Sequence, residues 1–313
     1  MSFSFYVPLD RAPTFEDTFW PAPSEFETNL GSLSGSWEDG QVGAVWVPLV
    51  TTRPVELSWE NGEFGARILF GACVEDCTLA LDLVCALAEE AGVDVVPEDG
   101  EPFPAAAREE TFGTAWAEQH ARSQAEIAIE MPAVGASPSG DAILKMPGAL
   151  GCFYLGPRVR SWLQDTPDQA DALFGLMREA LHLDPDHYVR MNHYEVTKLD
   201  GTSLTATTYL GQVGQVMGPA EMILVSNAKP SFSIDRDALG ELLGDQSFVW
   251  LDDRTWKLEA LEPAAWEAFL EEARAHPSAV EMGDPTDLAS GRSCLVVLGA
   301  LGVLALLLYW WLG

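Results

Sequence analysis

Positive charge is what this chain lacks most: 17 Lys and Arg stand against 48 Asp and Glu in 313 residues, a formal net charge of -31. A body so acidic repels phosphate backbones and anionic headgroups, which excludes nucleic acid as a partner and keeps the fold from lying flat on an acidic bilayer. Disulfides are not expected either. The five cysteines, Cys73, Cys77, Cys85, Cys152 and Cys294, form no paired framework, and an odd count in a chain of this length fits a reducing compartment. Cys73 and Cys77 lie four apart with no matching Cys or His pair, so they read as small buried hydrophobes, not zinc ligands.

Catalytic signatures are missing as well. There is no G-x-S-x-G elbow, no H-E-x-x-H, no G-x-x-x-x-G-K-[ST] loop and no Rossmann glycine run opening a helix. The glycines of residues 211–218 precede no lysine and no helix, so that stretch is expected to be a loop or a pair of β-bulges; no cofactor is implied. Residues 1–13 carry neither a basic n-region nor an apolar h-region, so no signal peptide is expected.

Against these absences stands one long apolar run. Residues 294–312 hold no charge, and at about 1.5 Å per helical residue they would span roughly 28 Å, close to a bilayer's hydrocarbon thickness. Tyr309, Trp310 and Trp311 suit the far headgroup level, and Arg292 marks the near end; the positive-inside tendency then places the N-terminal part in the cytoplasm. The expectation is a single-pass, tail-anchored protein of the cell inner membrane. Gly299, Gly302 and Ala305 fall on one side of that helix, where small residues let a second copy approach and form a homo-oligomer. Residues 277–293 read as a flexible tether with a typical reach of about 20–25 Å.

The remaining pattern is α+β, antiparallel hairpins and sheets packed with amphipathic helices, in two lobes of similar size over 1–132 and 142–276 with a linker at 133–141. Phe3, Phe5 and Val7 alternate as a strand; 42–50 is a second; Asn61 and Gly62 turn a hairpin. A helix opens at Glu75 and Asp76, repeats through Ala80, Leu83, Val84, Leu87 and Ala88, and ends at Gly92. After a strand at 93–96 and a loop over 98–110, Phe112, Trp116 and His120 share a helical face, with His120 a satisfied core histidine, and Ile127 and Ile129 suggest a strand. Strands follow at 142–146 and 149–155. Thr166 and Pro167 are expected to open a helix with its stripe at Ala170, Leu173, Phe174, Met177 and Leu181. Strands are then expected at 189–196, 203–209 and 221–226, a helix at 235–243, a hairpin over 248–258 turned at Asp252, Asp253 and Arg254, and a helix from Pro263 with Trp266, Phe269 and Leu270 inward.

One polar constellation gathers His182, Asp184, Asp186, His187, Asn192, His193 and Glu195. If 189–196 is one strand, His193 and Glu195 share a face; with His187 they would supply a two-histidine, one-carboxylate metal site or a histidine base oriented by a carboxylate. The competing reading is a polar connection into a half-exposed strand. Three functions remain open. The first is a membrane-tethered binding or regulatory module for a protein partner, more in keeping with the missing motifs than an enzyme. The second is a membrane-anchored enzyme using His187, His193 and Glu195. The third is an effector or immunity-type protein of a bacterial conflict system acting through its self-associating tail. Because the helical stripes lie outside the tail, deleting 294–313 is expected to leave a cooperatively unfolding chain in the soluble fraction. Persistent membrane partitioning of that truncation would contradict the separation of anchor from fold.

Overall fold

The computed structural model describes residues 2–10, 30, 34–38, 42–131, 143–148, 151–182, 187–197, 202–226 and 231–281. They form an α+β protein that divides into two compact units after Leu183. The linker expected at 133–141 lies outside the described residues. Residues 142–182 belong to the first unit, because their helices pack on it.

In the first unit, alternation and a two-residue turn set the sheet. Strands β1 (Phe3–Pro8), β2 (Ser34–Glu38), β3 (Val42–Trp46), β4 (Val55–Glu60), β5 (Glu63–Ile68) and β6 (Val96–Pro97) lie in the order β2-β3-β4-β5-β1-β6. All of the pairings are antiparallel. The β4–β5 hairpin turns at Asn61 and Gly62, whose φ angles of 56° and 82° are the two left-handed positions that a type I′ turn requires. Phe5, Val7, Val55, Leu57, Phe64, Ala66 and Ile68 are buried in one core with α1 (Val74–Ala91), which adds Ala80, Leu83, Val84, Leu87 and Ala88. Gly92 ends α1 at φ 67°, its amide reaching back to Ala88 and Glu89.

The helices that follow depart from the sequence expectation in instructive ways. After α2 (Arg108–Phe112), α3 (Thr114–Glu130) runs through Ile127 and Ile129, which are helical and not a strand. Its inward stripe is Ala117, Ala121, Ala125 and Ala128, small side chains that let it pack against α1. Phe112, Trp116 and His120 do stack in succession: Phe112 meets Trp116 edge-on at 5.1 Å, and Trp116 lies flat on His120 at 4.9 Å. The hairpin of β7 (Leu144–Pro147) and β8 (Cys152–Leu155) then leads into α4 (Pro157–Gln164) and α5 (Gln169–Leu181). Asp168, not Thr166, caps α5, accepting from the Asp171 amide at 3.2 Å, while the Thr166 hydroxyl donates to the Trp162 carbonyl.

The second unit holds two sheets. β9 (Tyr188–Arg190), β10 (Tyr194–Thr197), β11 (Ser203–Tyr209), β12 (Gly214–Met217), β13 (Met222–Val225) and β14 (Phe232–Asp235) precede α6 (Arg236–Ser247). β15 (Phe248–Trp250), β16 (Trp256–Leu258), α7 (Pro263–Ala275) and β17 (Val280–Glu281) complete it. The strand orders are β10-β11-β13-β14-β17 and β15-β16-β12-β9, antiparallel except that β11 runs parallel to β13 and β12 to β9. Residues 214–217 are thus a fully buried strand where a loop or bulge pair was expected. The reason is Gln215, a buried side chain that accepts from the Leu210 amide at 2.7 Å and donates to the Thr208 carbonyl at 3.1 Å, satisfying polar groups that a loop would turn to water.

No helix among the described residues is long and apolar enough to cross a membrane. Residues 282–313, with Arg292, Gly299, Gly302, Ala305, Tyr309, Trp310 and Trp311, lie outside the described residues. The core of the second unit gathers Tyr209, Phe232, Trp266 and Phe269, and Gly211 seats the Trp266 ring at its centre. A Cβ on Gly211 would fall 2.1 Å from that ring, and its φ is 72°. Gly211→Ala is therefore expected to cost about 2–4 kcal/mol, clash and left-handed strain together. A urea midpoint within error of the parent would contradict this packing.

Candidate functional site

The polar residues singled out from sequence do not stay together. His182 closes α5 in the first unit, whereas His187, His193 and Glu195 belong to the second. Residues 191–193 break the expected 189–196 strand: β9 pairs with β12 and β10 with β11, in different sheets. The single-strand alternation that would aim His193 and Glu195 from one face therefore does not apply. His187, His193 and Glu195 are all exposed, and the His193 ring lies against Gly218, Nε2 being 2.7 Å from where a Cβ would sit. Among the described residues, no group of three or more His, Cys, Asp and Glu side chains could hold a metal ion.

Buried polar chemistry concentrates instead on residues 47–53 of the first unit. The strand expected over 42–50 ends at Trp46, and the chain folds into a tight turn before β4. Thr51 closes that turn on Val47: its amide and hydroxyl both donate to the Val47 carbonyl at 3.0 Å, and its Oγ1 accepts from the Val47 amide at 3.0 Å. Leu49, at the apex, takes φ 65° and is 67 % exposed. A leucine in this left-handed region costs about 1–2 kcal/mol, so neighbouring contacts must impose it.

Those contacts come from two helices. Asp76, in the first turn of α1, accepts from the Thr52 amide at 3.0 Å through Oδ1. Its Oδ2 accepts from the Thr52 hydroxyl at 2.7 Å, the Arg53 amide at 3.1 Å and the Cys73 amide at 2.8 Å. One carboxylate thus satisfies a free amide of the helix N-terminus and the backbone of the turn together. From α5, Arg178 Nε donates to the Val50 carbonyl at 2.7 Å while Nη2 pairs with Glu75 at 2.6 Å, and His182 Nε2 bonds the Thr51 carbonyl. A carbonyl only accepts, so Nε2 carries the hydrogen and Nδ1 is a bare lone pair, buried with no partner.

Burial dominates the electrostatics. It pushes the Asp76 carboxyl up to about 6, a rise held back by the Thr52, Cys73 and Arg53 donors. It also drives the Cys73 thiol well above its ordinary range, reinforced by Asp76 and Glu75, and raises Cys77 likewise, so neither is an activated nucleophile. His182 is lowered by burial and by Arg178, against the Thr51 bond. The arrangement is a clasp: it holds a strained turn rigid with one apolar side chain presented to solvent. Sequence reasoning identified Asp76 as a helix-opening residue but read 42–50 as strand; the Thr-Thr-Arg run at 51–53 was the available signal for a polar turn.

No protein-family profile, curated protein or solved structure matches the chain.

Asp76→Ala would take the acceptor from the Thr52 amide, the Thr52 hydroxyl and the Arg53 amide, leaving the Cys73 amide only Thr52 Oγ1, and is expected to cost about 3–5 kcal/mol in denaturant unfolding. The pH dependence has a definite sign. The folded carboxyl titrates near 6 and the unfolded one near 3.8, so the folded state binds the extra proton and the contribution of Asp76 to stability declines as pH rises from about 4 through 6. Asp76→Asn is expected to remove that component from the pH–stability curve; an unchanged curve would contradict the assignment.

Proposed function

We propose that the chain is a membrane-anchored binding module whose contact element is the 47–53 turn, with Leu49 as the side chain inserted into a protein partner. The observation that carries this reading is Leu49 itself: exposed, apolar, strained, and held by the side chains of two helices. Backbone strain persists where surrounding structure over-determines it, and it concentrates at clamps and binding sites. A rigid apolar anchor also loses little conformational freedom on association. The anchor is proposed to be residues 294–312, whose uncharged length suits a bilayer, with the acidic body on the cytoplasmic side. With a net charge of -31, the module suits a partner face that is basic or apolar, and anchoring raises that partner's effective concentration at the membrane.

A photo-crosslinking residue placed at Leu49 in membranes, with one at the similarly exposed Val280 as control, tests the contact. A distinct protein captured from position 49 and not from 280 is expected. Capture of the chain by itself, dependent on Gly299 and Gly302, would favour the self-associating effector. Stoichiometric metal in the purified chain that is lost in His193→Ala would favour the enzyme built on His187, His193 and Glu195. Leu49→Asn is expected to raise stability by about 0.5–1 kcal/mol, because asparagine tolerates the left-handed region, while abolishing co-purification of the captured partner. Partner binding that survives Leu49→Asn would sink the contact assignment.

A further inference from the structure

We infer that the 47–53 turn is fastened to α5 by an acid-labile bolt: protonation of the buried His182 ring expels it from its place under the Thr51 carbonyl and loosens the turn that displays Leu49. The geometry carries this step by step. Nε2 already donates its hydrogen to Thr51, so an incoming proton must go to Nδ1. Nδ1 is buried and has no acceptor, so the imidazolium would hold one N–H unsatisfied in the interior.

Among the described residues, the charges around the ring offer no relief. Arg178, one turn earlier on α5, already sits beside His182 with its guanidinium on the Val50 carbonyl and on Glu75. From α1, Glu75 is engaged by Arg178, and Asp76 is engaged by the Thr52, Arg53 and Cys73 donors. From the turn, Arg53 directs its guanidinium to the Phe70 carbonyl and offers the ring no acceptor. The dipole at the C-terminus of α5 favours a cation, yet it supplies no acceptor at Nδ1. Burial and Arg178 both lower the histidine, so the folded state keeps the ring neutral. The sign follows: the bolt holds fully above the ordinary histidine value of 6.5 and weakens as pH falls below it. This runs opposite to Asp76, so the two groups are separable by mutation. The consequence for partner binding rests on the reading of Leu49 as the contact; the release itself does not.

Hydrogen exchange on the full chain in detergent, compared at pH 7.5 and 5.5 after correction for the intrinsic rate, tests the bolt without any partner. The amides of Thr51, Thr52 and Arg53 are expected to exchange at least about tenfold faster at pH 5.5 than the correction allows, one pH unit of such linkage being tenfold. Amides in the second half of α1 should not change. In H182Q, whose side-chain amide keeps a donor near the Nε2 position, the pH effect should vanish. If that variant folds poorly, NMR of the wild-type ring decides instead: the Nε2–H tautomer at pH 8, with a protonation that coincides with shifts in the Thr51–Arg53 amides. Protection that is equal at both pH values, or an identical change in H182Q, or ring titration without amide shifts, overturns the proposal. A failed crosslink at position 49 with an intact exchange effect would remove the contact reading and leave the bolt standing.

Discussion

The Asp76 carboxylate is the interaction on which the rest of the first unit depends. It has no exposed surface to speak of and forms no ion pair among the described residues, yet four donors meet it. Neutral donors compensate a buried charge only when they are held in place, and here three constraints fix the four: a helix N-terminus, a turn backbone that supplies two amides, and a threonine rotamer. Arg53, which supplies one of the amides, also brings a buried guanidinium whose charge is favoured by Asp76 against the cost of its own burial. The cluster is thereby close to neutral as a whole. A single cap, an ordinary local feature of helix α1, has become the point where sheet, helix and turn are locked in one arrangement.

From that lock the displayed leucine follows. On the α1 side Asp76 binds Thr52 and Arg53, and Cys73 adds a bond from its amide to Thr52 Oγ1 at 3.2 Å; together they hold the chain in the path that forces Leu49 left-handed. On the α5 side Arg178 and His182 do the same. What sets Leu49 apart from other exposed apolar side chains is that its backbone is strained and held from two directions while the side chain faces water. The functional reading draws on that distinction more than on composition.

What could be read from sequence was local. The Asn61–Gly62 hairpin, the α1 stripe ending at Gly92 and the Trp266, Phe269, Leu270 face of α7 are each specified within one or two turns of chain, and each formed as expected. The second half of α3 escaped: Trp116 and His120 were legible as a helical face, but the alanine stripe beyond them has little hydrophobic contrast, leaving Ile127 and Ile129 to suggest a strand. The 189–196 strand failed because its two ends serve different sheets, a tertiary decision with no local signature. The clasp was illegible for the same reason. Its bonds join residues 24 apart for Asp76 and Thr52, 128 apart for Arg178 and Val50, and 131 apart for His182 and Thr51.

The histidines show how closeness in sequence misleads. His182 and His187 are five positions apart, but the boundary between the two units passes between them. His187 is exposed at the start of an edge strand. His182 is sealed under a carbonyl with one nitrogen bare. A cluster counted along the chain offered a metal site at His187, His193 and Glu195 beside the plainer reading of a polar connection; the fold sets its first member, His182, apart in the other unit. Histidine suits the fastening of the turn better than glutamine or asparagine would if the attachment must be reversible, because it alone of the three changes charge near neutral pH. A permanent fastening would need only an amide. The choice of an imidazole at this buried position, with its second nitrogen unpartnered, is what ties the rigidity of the turn to the acidity of its surroundings.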